Sequence, residues 1–189
     1  MENISLEEIS QVIKKTKSES APGKSQINYA TLKNLGATGL KRLTILFNKI
    51  LQSGEIPNKW QQNLIYPIPK NSNWQHDLSH TRPIALIETI KKVFTKIINN
   101  RLAQVLTTHK ILSPLNWAGL PGGGTHEPII IINHVMTEAK EENKELWMLS
   151  QDISKAYDFM DHNMLKTTMQ RIKIFNIIQN SLWNVSKTI

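Results

Sequence analysis

Apolar side chains recur at helical spacing over most of this chain, with short interruptions. Leu6, Ile9, Val12 and Ile13 fall on one helical face. The preceding Ser5-Leu-Glu-Glu8 has the form of a capping box, in which the Ser5 hydroxyl accepts from the third helical N–H and Glu8 reaches back. This predicts a helix to about Lys17, broken by Ser20-Ala-Pro-Gly-Lys24. Leu32, Leu35, Leu40, Leu43, Leu46, Phe47, Ile50 and Leu51 predict a second helical region over residues 29–52. Gly36 and Gly39 divide it, and Gly54 and Pro57 end it.

The period then changes. Leu64-Ile-Tyr-Pro-Ile-Pro69 is apolar and strand-like, but its prolines cannot donate to a ladder, so it must lie at an edge or end early. After a polar loop at 71–79, Arg82-Pro-Ile-Ala-Leu-Ile87 reads as a short second strand. Helical spacing returns over 88–108, with Lys91, Lys92, Lys96 and Arg101 placed on the face opposite the apolar one. Pro114 and Gly119-Leu-Pro-Gly-Gly-Gly-Thr125 mark a loop, and Pro128 suits the first turn of a helix to about Asn143. Leu146-Trp-Met-Leu-Ser-Gln-Asp-Ile153 predicts a strand ending on a carboxylate, with Trp147 and Met148 in the core; helix follows to about Ile172. Beyond Phe175 the pattern supports no boundary. The order ααββααβα, with strands far apart in sequence, predicts an α+β fold.

Composition narrows the class. The 189 residues are 40% hydrophobic and 20% charged, as in a soluble globular chain able to bury a core of its own. With no cysteine, disulfides, thiol nucleophiles and cysteine-held zinc or iron–sulfur sites are excluded. No apolar run exceeds four residues, as in the isoleucines at 129–132, and the acidic N-terminus lacks a signal-peptide plan, so an intracellular protein without a membrane span is expected. Charge is unevenly placed. The net charge is +8, yet residues 1–110 hold 16 basic and 7 acidic side chains, against 7 and 8 in the remainder. Two readings fit: a face for a polyanion, most simply nucleic acid, or a lysine-rich solvated surface.

Three residues stand out chemically. Asp152 closes an apolar strand; a carboxylate there either finds a metal, as Mg²⁺ completed by substrate phosphates does, or caps the following helix. Lys70 and Arg82 stand at the margins of the two short strands. If these pair as a hairpin, both cations lie at its open end, where they either neutralise a triphosphate or remain surface charges. His126 and His134 have no third ligand in view, and His76 and His80 lie in a polar loop, so none of them is read as a metal site.

An ordered series of blocks resembles one family. Ser20-Ala-Pro-Gly-Lys-Ser-Gln-Ile27 with Leu32-Lys33 is similar to an Ala-Pro-Gly-x-Asp-x-Ile segment; Leu46-Phe47-Asn48, Gly54, Pro57 and Trp60 follow in order. Ile65-Tyr-Pro-Ile-Pro-Lys70 and Arg82-Pro-Ile-Ala-Leu86 resemble two finger strands, and Lys92 through Arg101-Leu102 the helix after them. Ala118-Gly-Leu-Pro-Gly-Gly-Gly-Thr125 resembles a Gly-Phe-x-x-Gly-x-Ser-Thr loop, and Asp152-Ile-Ser-Lys-Ala-Tyr-Asp158 the first catalytic motif of a palm. Together they resemble the N-terminal part of the reverse transcriptase domain of non-LTR (LINE-type) retrotransposons. The resemblance implies a partial right-hand polymerase: N-terminal helices over 1–60, fingers over 61–145 and the start of the palm over 146–189. It implies that Asp152 is catalytic and binds Mg²⁺, that Lys70, Arg82, Ala156 and Tyr157 bind the nucleotide, and that an RNA template, a DNA primer and dNTPs are the partners.

The departures are specific. Ser25 stands where the block has Asp, Leu120 where the loop has an aromatic, and Pro121 and Gly124 where basic residues are usual. No Tyr-x-Asp-Asp or other paired-Asp segment occurs in the 189 residues. A fragment of an RNA-directed DNA polymerase, not competent by itself, is therefore expected. A non-catalytic nucleic-acid-binding module and an inactive remnant are the alternatives. The strand bearing Asp152 is expected to leave a bare sheet edge and marginal stability.

Overall fold

The computed structural model describes residues 2–154 and 159–173. The described residues form two compact units, one up to residue 100 and one from residue 101, with the division inside one helix. Three helices open the first unit: α1 (Leu6–Lys15), α2 (Tyr29–Lys33) and α3 (Ala37–Ser53). Two strands follow, β1 (Leu64–Pro69) and β2 (Thr81–Leu86), and then α4 (Thr89–Thr108). α5 (His126–Glu141) and α6 (His162–Arg171) belong to the second unit. Among the described residues the fold is thus rich in helix, with one two-stranded antiparallel sheet. No helix among them is long and apolar enough to cross a membrane.

The helix ends follow local chemistry. Ser5 and Glu8 form the predicted capping box, the Glu8 amide donating to Ser5 Oγ at 3.2 Å and the Ser5 amide to Glu8 Oε2 at 3.1 Å. α1 stops two residues short of the prediction because Thr16 turns extended and returns its hydroxyl to Ile13 O at 2.6 Å. Gly36 caps the start of α3, while Gly39 is absorbed within it. At its end Gly54, at φ +69°, takes the left-handed position that glycine fills without a steric penalty.

The core of the first unit lies where α1, α3 and the first turns of α4 meet. Ile9, Phe47, Val93, Phe94 and Ile98 are fully enclosed. Phe47, Trp60 and Phe94 form an aromatic trio with ring centroids 5.3 to 6.4 Å apart, tilted and edge-on as the ring quadrupoles favour. Burying each ring contributes about 1.5–3 kcal/mol. The Asn48 side-chain amide pairs with the backbone of Ile4, accepting from its N–H at 2.7 Å and donating to its carbonyl at 2.9 Å, so the segment before α1 is tied to α3.

Two expectations need correction. Lys91 is not on the solvent face: it is 1% exposed, and its Nζ donates to Trp60 O at 3.0 Å. Residues 146–153 form no strand; Trp147 is 89% exposed and Met148 61%. A strand exists through a neighbour's hydrogen bonds, and no described segment pairs with this run, so neither strand nor core burial results. The sheet edge expected at Asp152 is absent with it.

Candidate functional site

β1 and β2 form a hairpin in which Ile68 faces Arg82 and Pro67 faces Pro83. Beyond Pro69 the Lys70 N–H donates to His80 O at 2.9 Å, so residues 70 and 80 also face one another at a hydrogen-bonded position. Alternation then puts 68/82, 66/84 and 64/86 at hydrogen-bonded positions, and Pro67, Pro69 and Pro83 at positions whose N–H would point away from the partner strand. The prolines therefore cost the ladder nothing and strip donors from its outer edges. This is why a segment with two prolines is a strand at all.

The same alternation sets Tyr66, Ile68, Lys70, Arg82 and Ile84 on one face. Both cations lie together, but at the looped end of the hairpin and not at its open end. The 11 residues from Lys70 to His80 connect the strands there, so chain order itself puts the end of β1 and the start of β2 at the loop. Lys70 Nζ donates to Ser79 O at 3.1 Å, and both Lys70 and Arg82 are exposed. Within this loop the Asp77 carboxylate accepts from the Ser79 amide at 2.8 Å, and its hydrogen bonds to Ser79, aided by His80, hold it below the ordinary carboxylate range. The Trp74 and His76 rings meet edge-on at 4.7 Å. Tyr66 and Ile68, 60% and 45% exposed, extend an open apolar surface from the two cations.

Asp152 is exposed in an irregular segment of the second unit. Ala156, Tyr157 and Asp158 lie outside the described residues. Asp161 is committed to capping α6, accepting from the amides of Asn163 and Met164 at 2.6 and 3.0 Å. Among the described residues no three carboxylate or imidazole groups converge in a metal cage. Asp152 thus supplies one accessible oxygen ligand of the type Mg²⁺ takes beside phosphate oxygens, but not the ligand set of a metal pair.

Sequence reasoning passed over Glu88 and misplaced its neighbours on α4. Glu88 is 8% exposed, yet its carboxylate accepts from Ser25. Lys92 donates to Ala21 O at 2.7 Å; burial lowers its pKa and the nearby Glu88 partly offsets that. Burial likewise pulls the Lys91 ammonium below its ordinary range. The available signal was an acid at the head of a helix in the otherwise basic half of the chain.

Comparison with known proteins gives a consistent picture. The family model described as reverse transcriptase (RNA-dependent DNA polymerase) matches residues 68–188. A probable RNA-directed DNA polymerase from transposon BS of Drosophila melanogaster is 25% identical over 169 residues, covering 89% of this chain and 19% of that protein. The RNA-directed DNA polymerase from the mobile element jockey of the same organism is 26% identical over 169 residues, covering 89% of this chain and 18% of that protein. A retrovirus-related Pol polyprotein from the type-1 retrotransposable element R2 of Nasonia vitripennis is 25% identical over 129 residues, covering 68% of this chain and 12% of its own length. The chain spans about a fifth of the length of the first two relatives.

Proposed function

Because this chain belongs to the reverse transcriptase (RNA-dependent DNA polymerase) family, we propose that it is the fingers and opening palm segment of a non-LTR retrotransposon polymerase. The assignment follows the divisions 1–60, 61–145 and 146–189 and a right-hand polymerase architecture. In the reaction of such an enzyme the primer 3′-oxygen bonds to the α-phosphorus of a dNTP opposite an RNA template, and the bond to pyrophosphate breaks.

The observation that carries the reading is the hairpin, which sets Lys70 and Arg82 on one face at one end. An ammonium and a guanidinium so placed suit a triphosphate or a template backbone, one as a point charge and the other as a planar fork. Asp152 is assigned as the catalytic carboxylate and a ligand of Mg²⁺, which supplies charge stabilisation at the reacting phosphate; Ala156 and Tyr157 are assigned to the sugar side of the nucleotide.

Titration of the chain with a labelled, primed RNA template at several salt concentrations tests the hairpin. Lys70→Ala and Arg82→Ala are each expected to weaken binding and to reduce the slope of log K against log salt by about 0.7–0.9. Unchanged affinity and slope in both variants would remove the hairpin from the interface. With Mg²⁺ and all four dNTPs the 189-residue chain is expected to give no templated extension, since its sequence holds no paired aspartates beyond Asp152. Product that vanishes in Asp152→Ala would overturn that expectation.

A further inference from the structure

Residues 20–27 have no regular structure, yet they are fixed to the segment that joins β2 to α4. The Ser25 amide donates to Glu88 Oε1 at 2.8 Å, and the Ser25 hydroxyl donates to Glu88 Oε2 through a short hydrogen bond. The Thr89 hydroxyl donates to Ile27 O, and Lys92 Nζ donates to Ala21 O at 2.7 Å. The backbones touch as well: a Cβ on Gly23 would stand 2.7 Å from the Glu88 nitrogen. Glu88 and Thr89 are 8% and 0% exposed, so the α4 side of this contact is buried, while Ser25 and Ala21 on the loop side remain exposed.

A carboxylate so enclosed needs donors for its lone pairs and a compensating charge. Ser25 supplies two donors, and Lys92, one helical turn on, supplies the opposite charge. We infer that Glu88 is a positioning residue: its carboxylate clasps the loop of residues 20–27 to the root of β2 and thereby sets the strand that carries Arg82. Only Ile87 separates Glu88 from β2. The clasp has a polarity, with the acid on the α4 side and the donors on the loop side. Its consequence for nucleotide binding rests on the assignment of Arg82 as a phosphate ligand, whereas the clasp itself does not.

The polarity makes the inference testable by reversing it. Ser25→Asp sets two carboxylates against each other and is expected to lower the folded-to-unfolded ratio of the full chain by about 10-fold or more in denaturant titration. Glu88→Gln, which keeps shape and one acceptor, is expected to cost less. Combining the two puts an acid opposite an amide donor again, so the double variant is expected to recover most of the loss seen in Ser25→Asp. Hydrogen exchange at the Lys70 amide and through residues 81–86 is expected to quicken in Ser25→Asp and slow again in the double variant. A double variant no more stable than Ser25→Asp would overturn the clasp, and so would hairpin exchange that ignores all three changes. Should Ser25→Asp fail to fold, the cycle of Ser25→Ala, Glu88→Gln and their combination replaces it, and strict additivity is then the overturning result. Titrating Arg82→Ala with a dNTP in the presence of the primed template separates the two ideas: dNTP affinity unchanged by Arg82→Ala beside a restored clasp sinks the nucleotide assignment alone.

Discussion

At the scale of single residues, what matters is how far away the partner lies. Ser5 and Glu8 serve one another across three positions, and their capping box is legible in the sequence because every participant is local. Glu88 answers Ser25 across 63 positions, and nothing local marks it. The departure at Ser25, where an Asp was expected, was visible; the acid that balances it across the fold was not. Lys91 was assigned to solvent by helical spacing, yet the Trp60 carbonyl draws it inside, since periodicity places a side chain on a face without saying what covers that face. Gly23 gives the sharpest residue-scale prediction. A Cβ there would stand 2.7–2.8 Å from backbone atoms of Ile87 and Glu88, so its absence is what lets the two segments pack this closely. Gly23→Ala is expected to destabilise the chain by about 1–3 kcal/mol, read as a lower denaturant midpoint at unchanged slope. A midpoint equal to that of the parent would show that the loop yields freely.

Among the elements, helices were legible and strands only conditionally so. α1, α3, α4 and α5 fall within about two residues of their predicted bounds because helical hydrogen bonds close within the segment. β1 and β2 were legible because each finds the other nearby in the chain. Residues 146–153 have as strong an apolar pattern and form no strand, since pairing cannot be inferred from the pattern of one segment. The position of Asp152 on an ordered strand end was lost with it, whereas Lys70 and Arg82 were brought together as expected, at the other end of the hairpin. The prolines of β1 and β2 yield the element-scale prediction. Pro67→Val restores an outward-pointing donor on an edge and adds a β-branched side chain, so sedimentation is expected to show concentration-dependent self-association absent from the parent. A variant that stays monomeric at every concentration would deny the prolines that role.

For the molecule as a whole, charge was the readable property. The excess of Lys and Arg in the first 110 residues falls largely in the unit that carries the hairpin. The dependence of its stability on pH was not readable, because it comes from buried groups, one of which, Lys91, helical spacing placed outside. Burial holds the folded-state pKa of Lys91 below 10.5, so the unfolded chain binds the proton more tightly; stability rises with pH through the window that ends near 10.5. Tyr29 acts in the opposite sense: burial raises its phenol above 10.0, so stability falls as pH climbs past that value. Lys91→Met is expected to flatten the rise on the alkaline side of neutrality while leaving the later fall, read from denaturant midpoints along a pH series. A rise of the same size in the variant would assign it to other groups.

The proline-edged hairpin has one more consequence. A ribbon whose margins have lost the donors of Pro67, Pro69 and Pro83 offers a visitor less backbone than an open sheet edge does, so what it meets is read chiefly through the side chains on its faces. Its vocabulary is then spelled by Tyr66, Ile68, Lys70, Arg82 and Ile84. Substitutions at these five positions can rewrite what the ribbon prefers while the grammar of the strands beneath them stays as it is.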